Sequence, residues 1–183
     1  LKVPMALFPC FPEEKEKFLK SIKCQAGQTG GMKEEAMEKL LCPSMMCADF
    51  GALKREMEAL EKAGIDLYHL DVMDGKFVPN FGMGLQDIQY ICGQGKKPAD
   101  VHLMIEDPGN YVELFAGLGA KIIYIHPEAD THPTRTLQRI IDAGAKPGIA
   151  INPGTSIGTV EELLYLSEYV LVMTVNPGFA GQK

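Results

Sequence analysis

The sequence predicts an α/β fold built on a parallel sheet. From residue 40 onward, six short apolar segments alternate with five segments of helical periodicity. Strand, helix, strand in series requires right-handed crossovers and therefore parallel strands. The candidate polar residues cluster where the strands end, which favours a barrel, whose βα loops gather at one face. An open doubly wound sheet is the alternative that alternation alone leaves open.

Each element follows from its own pattern. Short apolar runs bounded by turn residues predict strands at 40–46, 67–71, 99–104, 122–126, 147–151 and 169–174. Apolar residues at helical spacing predict helices at 53–63, 85–92, 109–118, 134–143 and 159–166. Asp49 is the predicted N-cap of the first helix. Gly64, Gly119 and Gly144 follow three of the helices, where a positive φ is needed to end them.

The first 31 residues differ in composition from the rest. They contain prolines at 4, 9 and 12, a run of mixed charge and a segment rich in Gly and Gln. This composition predicts a poorly ordered extension or linker over residues 1–31, with at most a helical turn or two at 13–22. Residues 32–183 are predicted to form the barrel domain, because 183 residues with 46% hydrophobic content fit one globular domain with its own core.

Charge and cysteine content limit the class of protein. A net charge of −6 without a basic face argues against a nucleic-acid partner, whereas a small phosphate needs only a few backbone amides. Five cysteines without a CxxC pair indicate reduced thiols and a cytoplasmic protein. No run of about 18 apolar residues is present, so no membrane partner is expected.

A metal site is predicted at the ends of two strands. His69 and Asp71 are two residues apart, so a strand directs both side chains to one face. His102 lies near the end of the next predicted strand. Two imidazoles and a carboxylate suit a divalent ion such as Zn²⁺, Fe²⁺ or Mn²⁺. A histidine that is merely hydrogen-bonded inside the barrel is the structural alternative.

Other polar and sulfur-containing side chains also follow strands. Ser44 either caps a loop or contacts a ligand, and His126 and Asn152 are expected to support other groups through hydrogen bonds. The turn at 176–182 offers consecutive amides that could bind a phosphate. Three methionines follow strands at similar depth and could serve as core filler or as a water-excluding lining: Met73, Met104 and Met173.

Five strings make the chain resemble a known family. They are Pro43-Ser-Met-Met-Cys-Ala-Asp-Phe50, His69-Leu-Asp-Val-Met-Asp-Gly-Lys-Phe-Val-Pro-Asn80, Val101-His-Leu-Met104, Asn152-Pro-Gly-Thr155 and Val172-Met-Thr-Val-Asn-Pro-Gly-Phe-Ala-Gly-Gln182. In this order they resemble the ribulose-phosphate 3-epimerases and their hexulose-phosphate 3-epimerase relatives, which are TIM (β/α)₈ barrels. The resemblance runs from about residue 42 to the last residue.

The resemblance implies a reaction and a role for each matching residue. The family removes the C3 proton of a ketose phosphate, most commonly D-ribulose 5-phosphate, and forms D-xylulose 5-phosphate through a 2,3-enediolate held by a divalent metal ion. By resemblance the metal ligands are His69, Asp71 and His102, and Asp71 is also an acid/base catalyst. The implied substrate contacts are Ser44, Met73, Met104, Met173, Gly178, Ala180 and Gly181.

The sequence departs from the family pattern at its end. It stops at Lys183, after the sixth predicted strand and its loop. In the family, a seventh strand brings the second acid/base carboxylate and fourth metal ligand, and an eighth completes the phosphate site. The expectation is therefore a C-terminally truncated barrel with about six of eight βα units. Its unpaired sheet edges would favour self-association into a homo-oligomer.

Three alternatives accompany this interpretation. Pro43-Ser-Met-Met-Cys47 and His126-Pro-Glu128 are similar to the branch that acts on hexulose (allulose) 6-phosphate. A catalytically inactive barrel fragment is the second alternative. A decarboxylase on a related barrel is not favoured, because Asp71-x-x-Asp74-x-Lys76 does not match the Asp-x-Lys-x-x-Asp arrangement of those enzymes.

Overall fold

The computed structural model describes residues 40–182. The predicted extension at 1–31 lies outside these residues. The described part contains five strands, which are β1 (Tyr68–Met73), β2 (Ala99–Met104), β3 (Ile122–Ile125), β4 (Lys146–Ile151) and β5 (Tyr169–Val172). Four α-helices connect or precede them, and these are α1 (Leu53–Ala63), α2 (Leu85–Gln94), α3 (Val112–Gly117) and α4 (Pro133–Asp142).

The five strands form one parallel sheet in the order β1-β2-β3-β4-β5. A doubly wound sheet reverses direction at a switch point, so its strands do not follow chain order across the sheet. Consecutive order throughout is the arrangement of a barrel. The predicted fold class, an incomplete TIM (β/α)₈-type barrel, is therefore confirmed.

The sheet has two different faces, because successive side chains along a strand point to opposite sides. Alternate residues such as Leu70, Val101 and Ile123 are fully buried and pack in one core with side chains of the helices. The opposite face is the barrel interior. An apolar cluster occupies part of it and consists of Cys42, Leu67, Ile122, Tyr124, Ala150 and Tyr169. A second interior cluster contains Met73, Val78 and Met104.

Helix boundaries follow the expected end signals. Gly64 ends α1 with a φ of 86° and donates its N–H to the carbonyls of Leu60 and Glu61. Gly119 and Gly144 also have positive φ, at 107° and 80°, so the predicted glycine conformations are confirmed. Asp49 caps a short 3₁₀ turn (Phe50–Ala52) directly before α1 rather than α1 itself, accepting from the N–H of Gly51.

Two predicted elements are wrong. The strand at 40–46 is reduced to one isolated bridge between Ser44 and His69. Pro43 has no N–H to donate, and the Ser44 hydroxyl accepts from the N–H of Met46 to start a 3₁₀ turn. The helix predicted at 159–166 is two 3₁₀ turns, Ile157–Thr159 and Glu161–Leu163. Adjacent β-branched residues at 159 and 160 lower the helix propensity there.

Among residues 40–182, no helix has both the length and the apolar character needed to cross a membrane.

Candidate active site

Three buried side chains converge at the carboxyl ends of β1 and β2. His69 and Asp71 point into the barrel from β1, and Asp71 lies opposite His102 in the parallel register. Side-chain ligand atoms from the three residues all lie within 4.8 Å of one another. The structure thus brings together the three side chains that the sequence predicts as metal ligands.

The Asp71 carboxylate lies at the centre of this cluster. Its Oδ1 atom is 3.3 Å from His69 Nε2 and 3.2 Å from His102 Nδ1. Its other oxygen, Oδ2, accepts a hydrogen bond of 2.5 Å from the Ser44 hydroxyl. One carboxylate oxygen therefore faces both imidazoles while the other is held by Ser44.

Asp100 belongs to the site although the sequence interpretation did not include it. Its side chain is buried, and its Oδ1 atom lies 2.6 Å from His69 Nδ1. The carboxylate accepts a hydrogen bond from Nδ1–H, so the other ring nitrogen, Nε2, faces Asp71. This is the carboxylate–histidine arrangement that orients metal ligands in proteins. The signal was available, since Asp100 precedes His102 by two residues and shares its face of β2.

The carboxylates of Asp71 and Asp100 lie on either side of His69, so positive charge between them is stabilised. Burial by itself lowers the pKa of His69, but the negative charges of Asp100 and Asp71 outweigh it and hold that pKa well above the usual value. Burial raises the pKa of Asp71, and the neighbouring His69 and His102 outweigh this and hold it well below the usual value. A proton on His69 or a divalent cation can supply the required charge.

His102 differs from His69 in its charge state. Burial lowers its pKa to about 4, despite the raising effect of the hydrogen bond with Asp71. His102 is thus neutral at pH 7, as a nitrogen ligand must be. Two imidazole nitrogens and one carboxylate oxygen match the ligand preferences of zinc, iron and manganese, and three protein ligands leave positions for substrate. The residues present fit a divalent metal ion.

The interior face next to these ligands is apolar. Met73 and Met104 are paired in register at the ends of β1 and β2 and pack with Val78. Phe77 and Met46 are partly buried against the same cluster. Met173 is also buried, one residue beyond β5, but it is not part of this cluster of described residues. The structure therefore places two of the three predicted methionines together.

The loop at 176–182 is held in a defined shape. Gly178 and Gly181 have φ values of 118° and 72°. The Gln182 side chain donates to the carbonyls of Asn176 and Phe179, and the Asn80 side chain donates to the carbonyl of Gly178 at 2.7 Å. The loop after β1 is thus tied to the loop after β5.

Amides in this loop remain available for a ligand. Within the described part of the chain, no backbone N–H of residues 178–181 donates to a backbone carbonyl. Ala180 and Gly181 are exposed, whereas Gly178 is buried against Val78. Successive free N–H groups in a turn form the kind of concavity that binds anions.

The comparison with known proteins identifies the group to which this arrangement belongs. The profile of the ribulose-phosphate 3-epimerase family matches residues 40–183. The chain belongs to this family. The ribulose-phosphate 3-epimerase of Aquifex aeolicus is 46% identical over 145 residues, which cover 79% of this chain and 65% of that protein. The Bacillus subtilis ribulose-phosphate 3-epimerase is 46% identical over 143 residues, which cover 78% of this chain and 66% of that protein.

The chain thus spans slightly less than two thirds of the length of these curated relatives. Among solved structures, the tryptophan synthase alpha chain of Legionella pneumophila matches 88% of this chain and 67% of its own, with a TM-score of 0.52 and 16% identity. At this identity the likeness supports the barrel fold alone. Family membership also accounts for the five strings noted in the sequence, which lie in the matched region.

Proposed function

We propose that this protein is a metal-dependent ketose-phosphate 3-epimerase that interconverts D-ribulose 5-phosphate and D-xylulose 5-phosphate. The observation that carries the proposal is the convergence of His69, Asp71 and His102, within 4.8 Å, in a member of this family. The five-carbon substrate is supported by the names of the relatives, which are ribulose-phosphate 3-epimerases.

The chemistry explains why the site is built from these groups. A proton beside a ketone is too weakly acidic for a carboxylate to remove unless the negative charge that develops on the substrate is stabilised. A bound divalent ion would supply that stabilisation as a Lewis acid. His69, Asp71 and His102 would hold the ion. The choice among Zn²⁺, Fe²⁺ and Mn²⁺ stays a prediction.

Asp71 is the proposed base. Its low pKa keeps it ionised at neutral pH, so the carboxylate can accept the C3 proton. Ser44 donates to Oδ2, which restricts rotation of the carboxylate and keeps Oδ1 facing the histidines. The proposal also includes a contact between Ser44 and the substrate. For this contact the hydroxyl would leave Asp71 Oδ2 and bind the substrate instead.

The remaining predicted contacts have separate roles. Met73 and Met104 would exclude water from the reacting carbons, since both are buried beside the ligands, and Met173 would contribute from β5. Gly178, Ala180 and Gly181 would bind the phosphate through backbone N–H groups. A cytoplasmic location and self-association into a homo-oligomer complete the proposal.

A turnover assay tests this function. Epimerisation of ribulose 5-phosphate is measured with added Zn²⁺, Fe²⁺ or Mn²⁺ for two proteins. One is the 183-residue chain, and the other is a fusion that appends the part of the Bacillus subtilis relative that lies beyond the matched region. The Asp71→Asn form of each protein is the control for contaminating activity.

Activity in either protein that Asp71→Asn abolishes supports the proposal. Activity on a six-carbon ketose 6-phosphate in place of ribulose 5-phosphate would transfer the assignment to the hexulose branch. Absence of activity in both proteins, with metal bound, would contradict the proposal and favour a catalytically inactive barrel fragment.

A further inference from the structure

A row of buried polar groups extends from His102 away from the proposed metal position. His102 Nε2 lies 2.8 Å from Nε2 of His126, whose side chain is fully buried at the end of β3. His126 Nδ1 lies 3.6 Å from Oε2 of Glu128. The other carboxylate oxygen of Glu128 accepts a hydrogen bond from the Thr155 hydroxyl. With Asp71 on β1, which His102 also faces, four consecutive strands or their loops contribute to one connected set.

The contact between two imidazoles can hold one proton in either of two ways. His102 Nε2–H donates to His126 Nε2, or His126 Nε2–H donates to His102 Nε2. In the first case the proton of His126 is on Nδ1, and in the second Nδ1 bears a lone pair. Among the described residues, His126 Nδ1 has no hydrogen-bond partner, and Glu128 is the charged group that faces it.

The charge of Glu128 favours the first of these arrangements. A lone pair on His126 Nδ1 would be buried 3.6 Å from a carboxylate oxygen and repelled by it, whereas an N–H there is attracted. Because Thr155 holds Oε1, the Oε2 atom stays directed at the imidazole. When a divalent ion is bound beside Asp71, the lone pair of His102 Nδ1 points at the ion, His102 Nε2 donates and His126 Nε2 accepts. Without the ion, Asp71 Oδ1 at 3.2 Å attracts a proton to His102 Nδ1 and so competes with Glu128.

From this chain of contacts we infer that Glu128, acting through His126, positions the proton of His102 so that Nδ1 is available to a divalent metal ion. Glu128 and His126 are positioning residues, because neither contacts the proposed metal position. The inference rests on the metal site of the proposed function. Asp100 contacts His69 directly, whereas Glu128 supports His102 only through His126.

Zinc binding by matched variants of the 183-residue chain tests this inference. Glu128→Leu removes the carboxylate, whereas Glu128→Gln keeps an oxygen that can accept from His126 Nδ1–H. Glu168→Leu is the control, because Glu168 is an exposed partner of Lys146 near the start of β5. Zinc affinity is measured by calorimetry, and the protonated nitrogens of His126 and His102 are identified from ¹⁵N chemical shifts in histidine-labelled protein. Near-ultraviolet circular dichroism establishes that each variant is folded.

We expect Glu128→Leu to lower the zinc affinity about tenfold, the size of effect typical of groups that support a metal ligand. Glu128→Gln should lower it less, and Glu168→Leu should leave it unchanged. His126 should be protonated on Nδ1 in the zinc-bound wild type. In the metal-free proteins, the share of His126 protonated on Nδ1 should be larger in the wild type than in Glu128→Leu.

Two results would overturn the inference. One is a zinc-bound wild type in which His126 is protonated on Nε2, and the other is an unchanged zinc affinity in folded Glu128→Leu. Failure of the wild type to bind zinc would remove both the metal site and the inference. Zinc binding with the expected variant effects but no epimerase activity would sustain the inference while contradicting the proposed function.

Discussion

The Nε2 atoms of His102 and His126 lie 2.8 Å apart inside the barrel, where both side chains are buried. One of these nitrogens must carry the proton between them, so the two imidazoles share a single hydrogen-bond direction. The consequence reaches the opposite nitrogen of His102, which faces Asp71. A site that looks like three separate ligands in the sequence is therefore one connected network in the fold.

Removal of the charge of Asp71 should weaken metal binding strongly. Asp71→Asn keeps the size of the side chain but loses the anionic oxygen on which both histidines converge. We expect the zinc affinity of the variant to fall on the order of 100-fold. Loss of a residue that only orients a metal ligand typically costs about 10- to 100-fold, and a ligand itself should cost at least as much. Calorimetric titration measures it, with the helix α4 variant Asp142→Asn as a control. A fall of less than threefold would exclude Asp71 as a ligand.

Asp100 should act through His69. Asp100→Asn retains an oxygen that can accept from His69 Nδ1–H but loses the charge, whereas Asp100→Leu loses both. Zinc affinity should therefore be highest in the wild type, lower in Asp100→Asn and lowest in Asp100→Leu. The affinity of Asp100→Asn should be about tenfold below that of the wild type. Equal affinities of the three folded proteins would show that Asp100 does not orient the histidine.

Glu128 should contribute pH-dependent stability. Burial raises its pKa, but the facing His126 imidazole and the hydrogen bond from Thr155 outweigh this and lower it to about 2 from the usual 4.5. A carboxyl whose pKa is lowered in the folded state stabilises the fold at any pH above its pKa in the unfolded chain. This contribution is lost as the pH falls from about 4.5 toward 2.

Urea unfolding of the wild type and Glu128→Gln measures this effect. The difference in free energy of unfolding between them should be constant above about pH 5.5 and shrink by about 1 kcal/mol toward pH 3, an amount reduced for solvent screening of a half-exposed group. A difference that is the same at pH 6 and pH 3 would contradict the lowered pKa.

Gly148 should be required for packing inside the barrel. It lies opposite Tyr124 in the register of β3 and β4, and a Cβ atom at this position would come within 2.7 Å of Tyr124 Cε1. Gly148→Ala should lower the free energy of unfolding by about 1–3 kcal/mol through overpacking. Gly154→Ala is the matched control, because a Cβ there has no atom within 4 Å. Equal stabilities of the two variants in urea would refute the close contact.

Local patterns were sufficient to predict most elements of the fold. The helix α1 has the predicted bounds, and β2 matches its predicted residues, because periodic apolar residues and end signals act within a few residues of each other. The same reasoning failed at 40–46 and 159–166. At 40–46, pairing with β1 competes with a side-chain cap, and only the tertiary arrangement determines which interaction is satisfied.

The sequence by itself determined which residues could do chemistry. His69 and Asp71 share a face because strand side chains alternate, and this follows from backbone geometry alone. Only the tertiary structure decided their partners. Asp100 pairs with His69 through the register of two strands, and Glu128 faces His126 through a loop. Register and loop placement result from many long-range contacts acting together, so no local pattern could specify which carboxylate supports which histidine.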